Sequence, residues 1–277
     1  MTALLLDIIT TAAILFAVSA GLLVVFGVMK IINFAHGAFI TLGAYGGLLV
    51  TQLGLSPWLG LPVAFALGAV CGAAVERIIV RRLYARPLDA ILATWGLGII
   101  IGQLLTLGFG REVQFVRSPI AGTLDLLGQS YSAYRLFMVV AALLIGGGFA
   151  LLLEGTRLGL NTRAVIMNDD LARGLGIDSV RVRFITFTLG SGLAGLAGAL
   201  ITPLSSVDPA MGLPWLLNAF MLAMVSGASL PTLAMATLLL GGAQVVISTF
   251  FSPILGALTI VVLAAIILRL RPAGLAR

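Results

Sequence analysis

Charge is what this sequence has least of. Of its 277 residues only 9% are Asp, Glu, Lys or Arg, where soluble domains carry about a quarter. Hydrophobic residues make up 60%, and the mean hydropathy is +1.18. Such a surface cannot face water, which excludes a soluble enzyme or a soluble binding module. The single cysteine, Cys71, cannot form an internal disulfide and lies in a hydrophobic run as a small apolar residue. The single histidine, His36, has no second imidazole with which to build a histidine-rich metal site. The single lysine, Lys30, is followed by Ile31, so the Gly-Lys-Ser/Thr phosphate loop of a nucleotide motor is ruled out. No Gly-x-Ser-x-Gly elbow occurs either. Among the acids, Glu76, Asp89 and Glu154 fall near the ends of hydrophobic runs, and only Asp7 lies inside one, close to the N-terminus. Ion-driven carriers usually place acids in mid-membrane, so this pattern gives one little support.

What is present is a series of apolar runs of bilayer-spanning length: 3–28, 34–53, 57–80, 88–109, 134–153, 184–204, 215–226, 231–250 and 253–270. The expected fold is an all-α polytopic membrane protein of eight or nine transmembrane or re-entrant helices, a single transmembrane domain over 1–277. The second run is broken by glycines and the seventh is short. The 34 glycines suit membrane helices, where they let backbones approach closely. With no basic residue ahead of its first apolar run and with Asp7 inside it, the N-terminus does not resemble a cleaved signal peptide.

The net charge of +6 is distributed by side, not gathered into a nucleic-acid patch. With nine spans, Lys30, Arg77, Arg81, Arg82, Arg86, Arg157, Arg163, Arg173, Arg181, Arg183, Arg269, Arg271 and Arg277 fall on one side, and Arg111, Arg117 and Arg135 on the other. That 13-to-3 split puts the long loop and the C-terminus in the cytoplasm and the N-terminus outside.

The stretch from Leu158 to Phe184, with Arg157 just before it, is a polar island of five arginines and three aspartates. Within it Ala164, Met167, Leu171 and Leu175 recur at helical spacing, while Arg163, Asp169, Asp170 and Arg173 take other faces. This predicts a short amphipathic helix, with Asn161 or Thr162 as N-cap, an Asp169–Arg173 pair four residues apart, and Gly174 and Gly176 ending it. Such a helix lies on the lipid surface or inserts its ridge into a partner.

A second polar interruption, Phe26 to Gly47, holds Lys30, Asn33 and His36 between apolar segments, with Asn33 placed to cap the helix that follows. Two readings stand: a discontinuous helix lining a solute route, or close helix packing with His36 satisfied by a backbone carbonyl. The neutral polar residues available for a route are Asn33, His36, Thr41, Thr94, Gln103, Asn218 and Gln244, a set suited to weak binding of a small neutral or zwitterionic solute. Gly190, Gly192, Gly195 and Gly198 form a small-residue face, for sliding or for static packing.

Three segments carry a family resemblance. INFAHGAFITLGAY (32–45), RAVIMNDDLARGLGIDSVRVRFITFTLGSGLAGLAGAL (163–200) and the terminal RPAGL (271–275) resemble, in order along the chain, permeases of the bacterial high-affinity branched-chain amino-acid ABC transporters. Urea and short-amide permeases form another branch of that group, and ARPLDAILATWGLGIIIGQLL, YRLF and TRLGLNTRAV resemble it as well. MVSGASLPTLA (224–234) departs from the glycine-rich turn of both branches. The resemblance implies a non-catalytic permease subunit working by alternating access. Its implied partners are a second, paralogous permease, cytoplasmic ATPases that bind the ATP and Mg, an extracytoplasmic solute-binding protein, and membrane lipid. No cofactor or metal would be bound by this chain. Arg163 to Val180 would form the coupling helix docked in the ATPase, and Arg111 to Tyr131 with Arg117, together with the Ser205–Pro214 turn bearing Asp208, would receive the binding protein. A self-contained channel or secondary carrier is the competing class.

Overall fold

The first helix is hydrophobic around its whole circumference, which suits a position inside a bundle and not at its rim. In the computed structural model, which describes residues 2–126, 128–272 and 274–275, this helix, α1 (Thr2–Met29), is the buried axis of the molecule. Ten further α-helices follow among the described residues: α2 (His36–Gln52), α3 (Gly60–Ile78), α4 (Pro87–Phe109), α5 (Ala133–Gly155), α6 (Arg157–Met167), α7 (Asp169–Gly174), α8 (Ser179–Ile201), α9 (Gly212–Ser226), α10 (Leu230–Phe250) and α11 (Pro253–Leu270). One antiparallel hairpin, β1 (Thr123–Leu126) with β2 (Gln129–Ser132), lies between α4 and α5, where the sequence suggested only a loop. Arg277, counted above among the basic residues of one side, and Ala273 of RPAGL lie outside the described residues.

Among the described residues, seven helical segments are long and apolar enough to cross a membrane: Thr2–Met29, Pro57–Ile78, Pro87–Phe109, Ala133–Gly155, Ser179–Leu204, Leu230–Phe250 and Pro253–Leu270. The protein is an all-α multi-pass membrane protein. The two remaining apolar helices, α2 and α9, are shorter, and they correspond to the glycine-broken second run and the short seventh one. Local sequence fixes where helices begin. Ser229 and Ser252 accept from the backbone N–H groups of Thr232 and Leu255 at the starts of α10 and α11, caps worth about 1 kcal/mol each. Pro87 and Pro253 occupy first helical positions, where a missing N–H costs nothing. Two expected starts shift: the sixth run begins at Ser179, not Phe184, and the seventh at Gly212, not Trp215.

The packing has an internal inverted symmetry. α8 packs on α1, α2 and α3, while α1 packs on α8, α9 and α10. In the first half α2 also packs on α3 and α4, and in the second α9 packs on α10 and α11. Contacts fix the directions: Val28 clusters with Val182, Val25 meets Gly190, and Gly21 meets Gly190 and Leu193, so α1 and α8 run antiparallel. The two four-helix units α1–α4 and α8–α11 are therefore inverted copies, joined by α5 and the α6–α7 segment. One end of the bundle carries the hairpin and the start of α1 (the hairpin face). The other carries α6, α7 and the end of α11 (the loop face).

Candidate functional site

Two regions hold the residues singled out from sequence. The first is the junction between α1 and α2. α1 ends at Met29, and Lys30 adopts a positive φ of 56°, turning the chain back on itself. Six residues later His36 opens α2, and its Nε2 lies 3.0 Å from the carbonyl oxygen of Val18. Val18 is eleven residues, roughly 16 Å, above the end of α1, so the turn climbs back to mid-bundle before the helix resumes. Both sequence readings hold in part: the helix is discontinuous, and His36 is satisfied by a backbone carbonyl. Asn33 does not cap α2, whose N-cap position is Ala35. Its Oδ1 instead accepts from the Ala35 N–H at 3.1 Å, bracing the turn one residue earlier. Thr94 on α4 accepts from the Phe34 N–H at 3.2 Å and pins the same turn from outside.

α9 begins at the same depth. Its first N–H, that of Gly212, donates to the Thr41 hydroxyl at 3.1 Å, and Gly37 and Gly212 are in backbone contact. The two short helices thus meet end to end at the symmetry centre. Beside this contact is a cavity of about 330 Å³ bounded by α2, α4 and α9, with Thr41, Gln103 and Thr106 among its polar lining and Phe34, Trp95 and Pro209 among its apolar walls. Of the route candidates, Thr41 and Gln103 line the cavity, while Asn33, His36 and Thr94 build its frame. Asn218 is half-buried further along α9. Gln244 lies apart on α10, where its carbonyl faces Gly256 of α11.

The second region is the loop face. The island forms two helices, not the single one spanning Arg163 to Val180. α6 begins at Arg157, capped by Thr156, whose hydroxyl accepts from the Gly159 N–H at 3.1 Å. Asn161 and Thr162 are therefore interior residues, and Thr162 bonds back to the Leu158 carbonyl. Asn168 interrupts the helix and caps α7 through the Leu171 N–H at 3.0 Å. Gly176, with φ 83°, closes α7: its N–H donates to Arg173 and the Ile177 N–H to Ala172, the paired bonds of a glycine-terminated helix. Met167, Leu171 and Leu175 are 86%, 62% and 74% exposed, an apolar ridge turned away from the bundle, while Ala164 packs inward with Val28 and Val182. Arg163 and Asp170 are exposed.

The Asp169–Arg173 pair forms at 2.8 Å. Asp169 also accepts from Arg183 of α8 at 2.7 Å. The Arg183 guanidinium lies over the ring of Tyr84, 4.8 Å from its centroid, and the Tyr84 hydroxyl donates to Oε1 of Glu76, a fully buried residue of α3. Burial, then the hydrogen bond to Glu76, pushes the Tyr84 phenol well above its ordinary pKa. This chain of contacts was not visible in the sequence.

On the hairpin face Gln114 and Val207 exchange backbone hydrogen bonds of 2.9 and 2.8 Å, joining the two segments expected to receive a binding protein. Arg111 and Arg117 are exposed. Asp208 accepts from the Ala210 N–H at 2.9 Å and so shapes its own turn. Asp7, the one acid read as lying inside a span, accepts from the Tyr131 hydroxyl at 2.8 Å and from Arg135 at 2.7 Å, clamping α1 to the hairpin and α5.

Residues 4–270 match the family of the branched-chain amino acid transport system permease component. The chain is 29% identical to a probable branched-chain amino acid transport permease protein, LivH, of Methanocaldococcus jannaschii, over 77% of its own length and 70% of that protein. To the high-affinity permeases LivH of Escherichia coli and BraD of Pseudomonas aeruginosa it is 25% and 26% identical, covering 93% of this chain and 89% and 90% of theirs. Among solved structures, PsaBC from Streptococcus pneumoniae in complex with Fab shares the fold, with a TM-score of 0.51 at 15% identity over 98% of this chain and 92% of that one. With a match running through both half-helices and both loop-face helices, this chain belongs to the family of branched-chain amino acid transport permease components.

Proposed function

We propose that the protein is one membrane subunit of an ATP-driven importer of branched-chain amino acids in a bacterial inner membrane, with its C-terminus and loop face in the cytoplasm. The observation that carries the reading is the ridge of Met167, Leu171 and Leu175, exposed on α6 and α7 at the arginine-rich end of the bundle. An apolar ridge beyond the membrane spans serves no purpose in water and fits a groove on a partner. The partner is a cytoplasmic ATPase, which holds the ATP and Mg. Arg163, Asp170 and Arg173 rim the contact. A solute-binding protein docks on the opposite face, over Arg111, Arg117 and the turn that Asp208 shapes, and a second, paralogous permease completes the membrane unit.

The route runs past the junction of α2 and α9. Its cavity offers hydroxyls, a side-chain amide and apolar walls without a fixed charge among its lining residues, which suits brief residence of a small zwitterion. A helix interrupted at mid-depth exposes backbone polar groups only where they line such a cavity. Closure of the ATPases moves α6 and α7, and with them α5 and α8, to which they are joined in sequence.

The test uses the complete complex in liposomes, with binding protein supplied. Leucine should stimulate ATP hydrolysis and enter the vesicles, and Leu171→Glu should release the ATPase from the purified complex. Stimulation by urea alone would reassign the substrate to the amide branch. Solute flux without any ATPase would sink the reading.

A further inference from the structure

We propose that Arg183 is a switch residue that exchanges Asp169 for Glu76 when the α6–α7 segment is displaced, so that movement of the loop is passed to α3. The inference deepens the importer reading and rests on it for the source of the displacement. Three atoms of the chain Asp169–Arg183–Tyr84–Glu76 are buried and lack a hydrogen-bond partner among the described residues: Asp169 Oδ1, Arg183 Nε and Glu76 Oε2. Orphaned charge-bearing atoms are costly in a buried setting. Here the orphans are complementary, two acceptors and one donor along a single chain of contacts. Arg183 already spends one nitrogen on Asp169 and lies over the Tyr84 ring, while Tyr84 spends its hydroxyl on the other oxygen of Glu76. The free Nε of Arg183 and the free Oε2 of Glu76 thus belong to side chains that both touch Tyr84, one over its ring and the other at its hydroxyl.

Asp169 is the first residue of α7 and moves with the exposed ridge. Glu76 belongs to α3, which packs along α8. Pulling α7 from α8 must break the Arg183–Asp169 pair, because its two partners are on different helices. Glu76, held at the hydroxyl of the same Tyr84 that the guanidinium covers, then takes it, which draws the ends of α3 and α8 together around Tyr84. Such an element has two discrete arrangements and not a continuum, which is what coupling between a docking surface and distant spans requires.

The first arm uses the purified chain alone and needs no ATPase. If each acid can replace the other as partner of Arg183, Asp169→Asn and Glu76→Gln each lower the melting temperature modestly, and the double variant loses clearly more than the sum. Additive or less-than-additive losses would overturn the exchange. The second arm uses the whole transporter with its binding protein. Glu76→Gln should leave the basal ATPase rate in place and cut its stimulation on the order of tenfold. Tyr84→Phe, which frees Glu76 to take Arg183 early, should raise the basal rate and shrink the stimulation. A purely structural role would lower basal and stimulated rates in proportion, and that result also overturns the proposal. A wild-type complex without solute-stimulated hydrolysis would count against the importer reading, while the melting series would still decide the exchange.

Discussion

At the scale of single residues, two aspartates do parallel work at opposite ends of the bundle. Asp7 gathers Tyr131 and Arg135, and Asp169 gathers Arg173 and Arg183. Only the pair at four-residue spacing could be read from sequence, because helix geometry alone brings Asp169 to Arg173. Arg183 reaches the same carboxylate through a turn that depends on Gly176, and Arg135 reaches Asp7 across more than a hundred residues, so neither partner announces itself locally. Tyr84 belongs with these residues and ties stability to pH. Burial and the Glu76 hydrogen bond keep its proton in the folded state. The folded pKa is raised, so the contribution to stability is whole below the unfolded value of about 10 and is lost as the pH rises past it. The melting temperature of the purified protein should therefore fall as the pH is raised above about 10, and Tyr84→Phe should remove part of that fall. An unchanged alkaline limb in the variant would show that Tyr84 gives up its proton in the folded protein as readily as in water.

At the scale of elements, the crossing of α2 with α8 sets how near the two halves approach. A Cβ at Gly198 would overlap the Ile40 carbonyl, and one at Gly43 would overlap the backbone of Gly195. These obstacles are main-chain atoms, which cannot rotate aside. Gly198→Ala should cost at least the ~1–3 kcal/mol of an overpacked core, read as a lowered melting temperature in detergent. Gly147→Ala on α5 is the control, since nothing lies within 4 Å of its added Cβ, and it should be neutral or slightly stabilising. Equal effects at the two sites would show that helix propensity, not contact, governs them. The glycine face of α8 was legible in sequence, but its three different neighbours, α1, α2 and α3, were not. Span positions were legible because apolar length is itself the physical requirement for crossing a bilayer. The half-helices showed only as defects in that pattern, Gly-rich in one case and short in the other. The split of the island at Asn168 was missed because Met167 and Leu171 keep helical spacing across the break.

At the scale of the whole molecule, the inverted halves have a consequence for sidedness. Each half traverses the bundle four times, counting its half-helix, and α5 adds one more traverse, so the start of α1 and the end of α11 lie on opposite faces. The described basic residues follow this division, with Lys30 and the arginines of the α3–α4 connection, α6, α7, the start of α8 and the end of α11 at the loop face, and Arg111, Arg117 and Arg135 at the hairpin face. Since basic residues are retained in the cytoplasm, this division is the ground on which the importer reading expects the loop face to be the inner one. Replacing the single cysteine by Cys71→Ala clears the background for a direct check. A membrane-impermeant maleimide added to intact cells should label Glu112→Cys, next to the Gln114–Val207 bridge, and spare Asp170→Cys on α7 until the membrane is opened. Labelling of Asp170→Cys alone in intact cells would turn the molecule over and place the apolar ridge where no ATPase can reach it. Labelling of both would mean that the two faces do not lie on opposite sides of the bilayer, and the inverted arrangement of the halves would have to be given up with them.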